Sequence, residues 1–201
     1  GVEFNNTNLI DHMTGYDRHI KQLSQTIGGY VQNERQSEAL NLVIGARLDK
    51  NNLIDHVIVS PRANVRYTPI KNLILRAGYT SGYRAPQAYD EDLHVMAVGG
   101  EASLIVLDPE LRPEYSHSVT ASADMYATAG KVQFNVLVEG FYTSLNDVFT
   151  LVEQHADAAG NQVLMRTNAD RAEVRGVNIE AKAALDANNS LSVGYTYQRS
   201  T

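Results

Sequence analysis

Apolar and polar residues alternate along most of the chain after Gln25, which is the period of a β-strand with one apolar and one polar face. Between residues 40 and 48, for example, every second residue is aliphatic, whereas the positions between them include Asn41, Gly45 and Arg47. The helical spacing of three and four residues is nearly absent. The pattern therefore predicts an all-β protein.

The alternation predicts an antiparallel up-and-down meander of about eight strands. They lie at about residues 26–35, 38–49, 57–68, 71–81, 115–127, 131–144, 171–185 and from 190 onwards. Residues 1–24 have no period and are predicted to form a loop. The predicted connections are alternately tight and long, and the long ones are 50–56, 82–114 and 145–170. Short turns on one side and long loops on the other are typical of an outer-membrane β-barrel.

Alternation alone does not distinguish a barrel from a soluble β-sandwich, because either fold needs one apolar face on each strand. Two features favour the barrel. The apolar faces are mainly small and aliphatic, and tyrosines occur near strand ends, as in an interfacial girdle: Tyr67, Tyr79, Tyr115, Tyr142 and Tyr197. The alternatives are a soluble β-sandwich for binding or adhesion, and an outer-membrane enzyme barrel.

Composition excludes several classes of function. The net charge of −6 argues against nucleic-acid binding, and the absence of cysteine excludes disulfides and thiolate metal sites. No two histidines have the i, i+4 spacing of a helical zinc site, and no catalytic constellation is visible. We therefore expect no enzymatic activity, no cofactor and no metal site, with His94 beside Asp90 and Asp92 as a minor metal-binding alternative.

The segment from Gly78 to His94 begins as a strand, is expected to break at Gly82 and continues as an acidic loop until about Tyr115. The strand exit consists of Gly82, Tyr83, Arg84, Ala85 and Pro86. Pro86 favours an extended Ala85, so we interpret this exit as a rigid structural motif, fixed by salt bridges, rather than a binding site. Ligand contacts are expected further out, at Tyr89, Asp90, Glu91, Asp92, His94 and Glu101.

Short motifs then point to a family. They are GYVQNE at 29–34, LVIGARLD at 42–49, SPRANVRY at 60–67, GYRAP at 82–86 with EDLH at 91–94, PELRPEYS at 109–116, EGFY at 139–142 and RGVNIE at 175–180. In this order and spacing, the chain resembles the C-terminal part of the β-barrel of a TonB-dependent outer-membrane receptor of the siderophore or cobalamin type. The style of the motifs is similar to receptors from Bacteroidetes-like bacteria.

The resemblance implies a barrel of about 22 strands with a plugged lumen, of which residues 1–201 form a partial barrel domain without the plug. It implies a receptor in the outer membrane of a Gram-negative bacterium that binds and imports a scarce nutrient. The implied partners are outer-membrane lipid, a small-molecule nutrient such as an iron–siderophore or cobalamin, and TonB, which would act through a region outside this segment. Because a partial barrel has two open edges, we expect the segment alone to close, to pair its edges or to bury its aliphatic faces.

Overall fold

The computed structural model describes residues 1–16, 18–88, 96–98, 101–158, 160–186 and 188–201. For Met13, Tyr16, 96–98 and 101–103 it describes the backbone. A 3-10 turn spans Thr14–Tyr16, and no helix among the described residues is long and apolar enough to cross a membrane.

Eleven strands form one sheet in this part of the chain. They are β1 (Val2–Met13), β2 (Arg18–Gln36), β3 (Leu40–Asn51), β4 (Ile58–Ile70), β5 (Leu73–Arg84), β6 (Met96–Val98), β7 (Glu101–Leu107), β8 (Glu114–Ala129), β9 (Val132–Glu153), β10 (Gln162–Ala184) and β11 (Ser190–Ser200). The order is β1-β2-β3-β4-β5-β8-β9-β10, and all these neighbours pair antiparallel. β11 extends the sheet beyond β10. This arrangement confirms the all-β meander, and the eight predicted strands correspond to β2–β5 and β8–β11.

The outer ends of the strands correct the sequence prediction. Residues 1–24 are not a loop, because β1 pairs with β2 from Val2↔Gly29 to Met13↔Arg18. β9 and β10 likewise run through most of the predicted 145–170 loop. Where a strand extends beyond a bilayer, neither face needs to be apolar, so the alternation disappears although the backbone pairing continues.

The segment 82–114 also contains strand that the alternation did not predict. β5 does not break at Gly82 but stays paired with β8 through Arg84↔Glu114. β7 then pairs parallel to β10 over Gln162–Arg166, and β6 pairs with β7. Leu104 and Ile105 of β7 are consecutive and both buried, so both faces of this strand are covered. A strand covered on both faces forms a continuous apolar run, which a search for period 2 misses.

The strand register places the aliphatic positions on one side of the sheet. Leu42 lies opposite Val65, and Val65 lies opposite Ala77, whereas the polar residues of the same strands line the other side. Many of these aliphatic side chains are exposed, including Val31 at 72% and Leu191 at 68%. No second sheet covers them within the described ranges, which is contrary to a β-sandwich.

The edges of the sheet remain open. β1 and β11 each lack a second partner along most of their length within the described chain, and the aliphatic band stays exposed. Closure into a smaller barrel and burial of the aliphatic faces are therefore wrong for the single chain. The buried apolar residues instead collect near the long connections: Ile54, Ile58, Ala88, Leu104 and Ile105.

Candidate functional site

A cavity of about 530 Å³ lies at the end of the sheet that carries the long connections. One wall is the outer part of β2, from Arg18 to Gln22. The opposite wall is formed by β7 from Leu104 to Leu107, with Asp157 and Val163 beside it. Arg18 is buried, and Leu104 and Ile105 form an apolar floor. The cavity thus combines cationic side chains with apolar surface, as ligand pockets commonly do.

The connection after β5 reaches across to this cavity. The backbone N–H of Ala88 donates a hydrogen bond to Oε1 of Gln22 at 2.6 Å, and Ala88 itself is buried. Arg84 lies over the ring of Phe149 at 5.3 Å, a cation–π contact that joins the strand exit to β9. The backbone N–H of Phe149 in turn donates to Glu114 at 3.0 Å. The strand exit is thus held between β2 and β9.

The return arm of the same connection is anchored on β10. Asn168 accepts a hydrogen bond from the backbone N–H of Arg112 at 2.8 Å and donates one to its carbonyl oxygen at 3.0 Å. Thr167 donates to Asp108 at 2.9 Å, and Arg112 pairs with Asp147 at 2.7 Å. Asp147 has a φ of 54° at an irregularity in the β9–β10 pairing. These contacts hold β7 where it lines the cavity.

Below the cavity, an ion cluster faces the inside of the curved sheet. Nε of Arg47 donates to both carboxylate oxygens of Asp49, at 2.9 and 2.8 Å, and Nη1 donates to Glu3 at 2.7 Å. Asp49 is 2% exposed. Asp49 lies opposite Gly28 in the strand register. Its carboxylate fits there only because Gly28 has no side chain.

Asn51 fixes the next connection from the same face. Its Nδ2 donates to Thr26 at 2.8 Å and to Ser24 at 3.3 Å, and its Oδ1 accepts from the backbone N–H of Leu53 at 2.8 Å. His56, further along this connection, contacts the Tyr115 hydroxyl at 2.8 Å. The β3–β4 connection is therefore tied to both β2 and β8.

The residues predicted from the sequence are only partly placed. Gly82, Tyr83 and Arg84 are the last residues of β5, and Ala85 and Pro86 follow it directly. Glu101 begins β7, of which only the backbone is described at that position. The predicted ligand contacts Tyr89, Asp90, Glu91, Asp92 and His94 lie outside the described residues. Sequence reasoning missed the β2 and β7 walls, although the run Leu104–Leu107 is a signal for a covered strand.

The residues of the minor metal-binding alternative, His94, Asp90 and Asp92, lie outside the described residues. Across the described ranges, no three side chains among histidine, aspartate and glutamate are close enough to hold a metal ion.

An antiparallel meander with an exposed aliphatic face, a polar inner face and long connections at one end is a segment of a transmembrane β-barrel. The family model described as TonB-dependent receptor-like β-barrel matches residues 1–201. The chain therefore belongs to the β-barrel family of TonB-dependent receptors, whose members are outer-membrane proteins of Gram-negative bacteria and are not enzymes. No curated protein matches the chain.

Solved structures show the same fold at low sequence identity. The siderophore receptor PirA from Pseudomonas aeruginosa superposes with a TM-score of 0.83 and 19% identity, over 100% of this chain and 38% of that chain. The FrpB iron transporter from Neisseria meningitidis (F3-3 variant) gives a TM-score of 0.64 and 16% identity, over 89% and 26%. A mutant of the ferric enterobactin receptor PfeA from Pseudomonas aeruginosa, in complex with enterobactin, gives a TM-score of 0.68 and 15% identity. The match covers 89% of this chain and 27% of that chain.

The chain thus spans well under half the length of these relatives. The Bacteroidetes-like origin stays a prediction.

Proposed function

We propose that this chain is part of an outer-membrane receptor that binds a scarce nutrient at its long-connection end and imports it with energy relayed by TonB. The observation that carries the proposal is the family match over all 201 residues. The exposed aliphatic face supports the membrane placement, and the cavity between β2 and β7 supports a binding site at the outer end. The soluble sandwich has no comparable support.

An iron–siderophore complex is the proposed nutrient class. The similar solved structures are described as a siderophore receptor, an iron transporter and a ferric enterobactin receptor. In addition, Arg18, His19 and Lys21 line one wall of the cavity, and Asp157 is the single acidic residue among the described residues that line it. Such a wall, beside the apolar side chains of Leu104 and Ile105, suits a ligand that combines negative charge with apolar surface. Cobalamin is the alternative nutrient.

We further propose that Tyr89, Asp90, Glu91, Asp92, His94 and Glu101 contact the ligand from outside. The support comes from their neighbours in sequence. Ala88, directly before this segment, contacts Gln22 at the cavity wall, and Leu104, shortly after it, lies on the floor. The described residues on either side of the segment, Ala88 and Leu104, therefore line the cavity.

Uptake by the full-length receptor tests the function. A strain that lacks the receptor is complemented with it, and uptake is measured with radioactive iron bound to catecholate or hydroxamate siderophores and with labelled cobalamin. We expect uptake of one chelate class. This uptake should stop when a protonophore dissipates the proton-motive force, while binding of the chelate at the cell surface persists. Uptake of none of these probes would refute the proposed nutrient class.

Charge variants test the proposed contacts. The triple variant Asp90→Asn, Glu91→Gln and Asp92→Asn should weaken the apparent affinity for the imported chelate by about tenfold, because hydrogen bonds to charged groups contribute about 1.5–3 kcal/mol. The control Glu38→Gln removes one acid in the turn between β2 and β3, at the opposite end of the sheet. Equal affinities in the triple variant, the control and the wild type would show that the segment does not contact the ligand.

A further inference from the structure

A groove lies on the outward face of the sheet, where the aliphatic band ends on the side of the long connections. Its volume is about 510 Å³. Its lower walls are apolar and include Val119, Ala121 and Val177, while Tyr142 and Tyr197 flank it. Arg175 and Arg199 also line this groove. The groove therefore has an apolar part and a cationic part.

The two arginines lie directly opposite each other. Arg175 of β10 is the register partner of Arg199 of β11, so their Cβ atoms are separated by only about 5 Å. Like charges in this position are destabilising unless something neutralises them. Neither side chain forms a hydrogen bond or an ion pair with another residue in the part of the chain that the structure describes, and both are exposed.

The nearby Arg171 shows the contrasting situation. It pairs with Glu173 at 2.7 Å and donates hydrogen bonds to the Tyr142 hydroxyl at 2.9 Å and to Ser144 at 3.1 Å. The charge of Arg171 is thus compensated within the protein. Within the part of the chain that the structure describes, the two arginines in the groove have no compensating negative charge.

Arg175 and Arg199 lie at the depth in the membrane where lipid headgroups are expected. Arg175 lies nine residues from Ala184, the end of β10 at the short turn (184 − 175 = 9). Nine residues span about 30 Å along a strand. At a tilt of about 40° this is about 23 Å across the membrane, close to the ~25 Å apolar band of an outer-membrane barrel. The guanidinium groups therefore lie at the outer boundary of the band.

We propose that the groove binds a phosphorylated lipid of the outer leaflet, with its phosphate between Arg175 and Arg199 and an acyl chain against Val119, Ala121 and Val177. Guanidinium groups suit phosphate because their parallel N–H donors match its oxygens. The apolar walls select an amphiphile over a free anion. The site is separate from nutrient uptake and depends only on the membrane placement of this face.

Lipid retention by the full-length receptor tests the site. The purified receptor in detergent micelles is incubated with phosphatidic acid, or with phosphatidylcholine of the same acyl chains, and bound lipid is counted by native mass spectrometry. The double variant Arg175→Gln/Arg199→Gln should bind phosphatidic acid at least about tenfold more weakly. The matched control Arg62→Gln/Arg66→Gln removes the same charge from the inner face of β4 and should bind it like the wild type.

A second variant in the groove and a competing free anion complete the test of the lipid site. Ala121→Phe fills the groove and leaves both arginines in place, and it should also weaken phosphatidic acid binding. Heat-dependent gel migration shows whether each variant folds. If the double variant does not fold, Ala121→Phe still tests the site. Equal binding of the two lipids by the wild type, equal loss in the control pair, or no loss in either groove variant would overturn the proposal. Displacement of phosphatidic acid by an equal concentration of inorganic phosphate would show a free-anion site and would also overturn it. Nutrient uptake is measured separately, so the failure of one proposal does not imply the failure of the other.

Discussion

Gly28→Ala should destabilise the inner ion cluster of β2 and β3. A Cβ at this position would lie 2.2 Å from Oδ1 of Asp49 and 2.7 Å from Nη2 of Arg47. Ordinary contact begins at 3.4 Å, so the carboxylate would have to move by about 1.2 Å (3.4 − 2.2). Both of its oxygens accept hydrogen bonds from Arg47 at 2.8–2.9 Å, and a shift of that size breaks at least one of them.

The expected loss is about 2 kcal/mol. Hydrogen bonds to charged groups contribute about 1.5–3 kcal/mol, and the partial exposure of Arg47 favours the lower part of that range. A loss of 2 kcal/mol corresponds to about 30-fold faster amide exchange by local opening. Hydrogen–deuterium exchange of the full-length receptor over residues 47–51 measures it directly.

Gly29→Ala is the matched control, because a Cβ at this neighbouring residue meets nothing within 4 Å. It should leave the exchange rates unchanged. The double variant Gly28→Ala/Asp49→Ala should lose less opening free energy than the sum of the losses in its two single variants, since removal of the carboxylate relieves the contact. Equal exchange rates in Gly28→Ala and Gly29→Ala, or strict additivity in the double variant, would contradict a steric conflict between residue 28 and the Asp49 carboxylate.

Three further changes test other parts of the sheet. Asn51→Ala removes three hydrogen bonds from a buried side chain, so the opening free energy of the β3–β4 connection should fall by about 2 kcal/mol in amide exchange. Gly176→Ala places a methyl group 2.3 Å from the carbonyl oxygen of Tyr197, so a smaller fraction of the receptor should migrate as folded protein in cold detergent gels. Gly194→Ala should not change this fraction, because a Cβ at residue 194 has no atom within 4 Å. Asn189 and the backbone N–H groups of the β10–β11 turn lower the pKa of Asp186 by hydrogen bonding to its carboxylate. Because the folded pKa lies below the unfolded one, the stabilisation is complete above the unfolded pKa and is lost as pH falls through the folded value. Amide protection in that turn, relative to intrinsic rates, should therefore fall in acid, and Asp186→Asn should remove this dependence.

The aliphatic band was predictable because the membrane imposes it. Between the short turns and the outer boundary, every outward position must be apolar, so Leu42, Val65 and Ala77 reveal both the strands and their faces. The short motifs added the family, which the match over the whole chain confirmed. The end of β5 was predictable only in part: Pro86 limits what can follow, but β5 continues past the break expected at Gly82 to Arg84.

The outer part of the molecule was not predictable in the same way. Residues 2–13 form β1 and residues 18–24 form the outer part of β2, and these two stretches pair with little alternation of apolar and polar residues. β7 was missed because both of its faces are covered, so Leu104 and Ile105 do not alternate with polar residues. The cavity walls come from these two regions, and for that reason the candidate site was located only in part.

The sequence by itself determined the family, the all-β class and the faces of the eight predicted strands, since local alternation and short motifs are sufficient for each. Only the tertiary structure decided which distant residues meet. Ala88 contacts Gln22, β7 pairs with β10, and Arg175 lies opposite Arg199. These contacts depend on sheet curvature and on register between strands, and neither is contained in the pattern of any single strand.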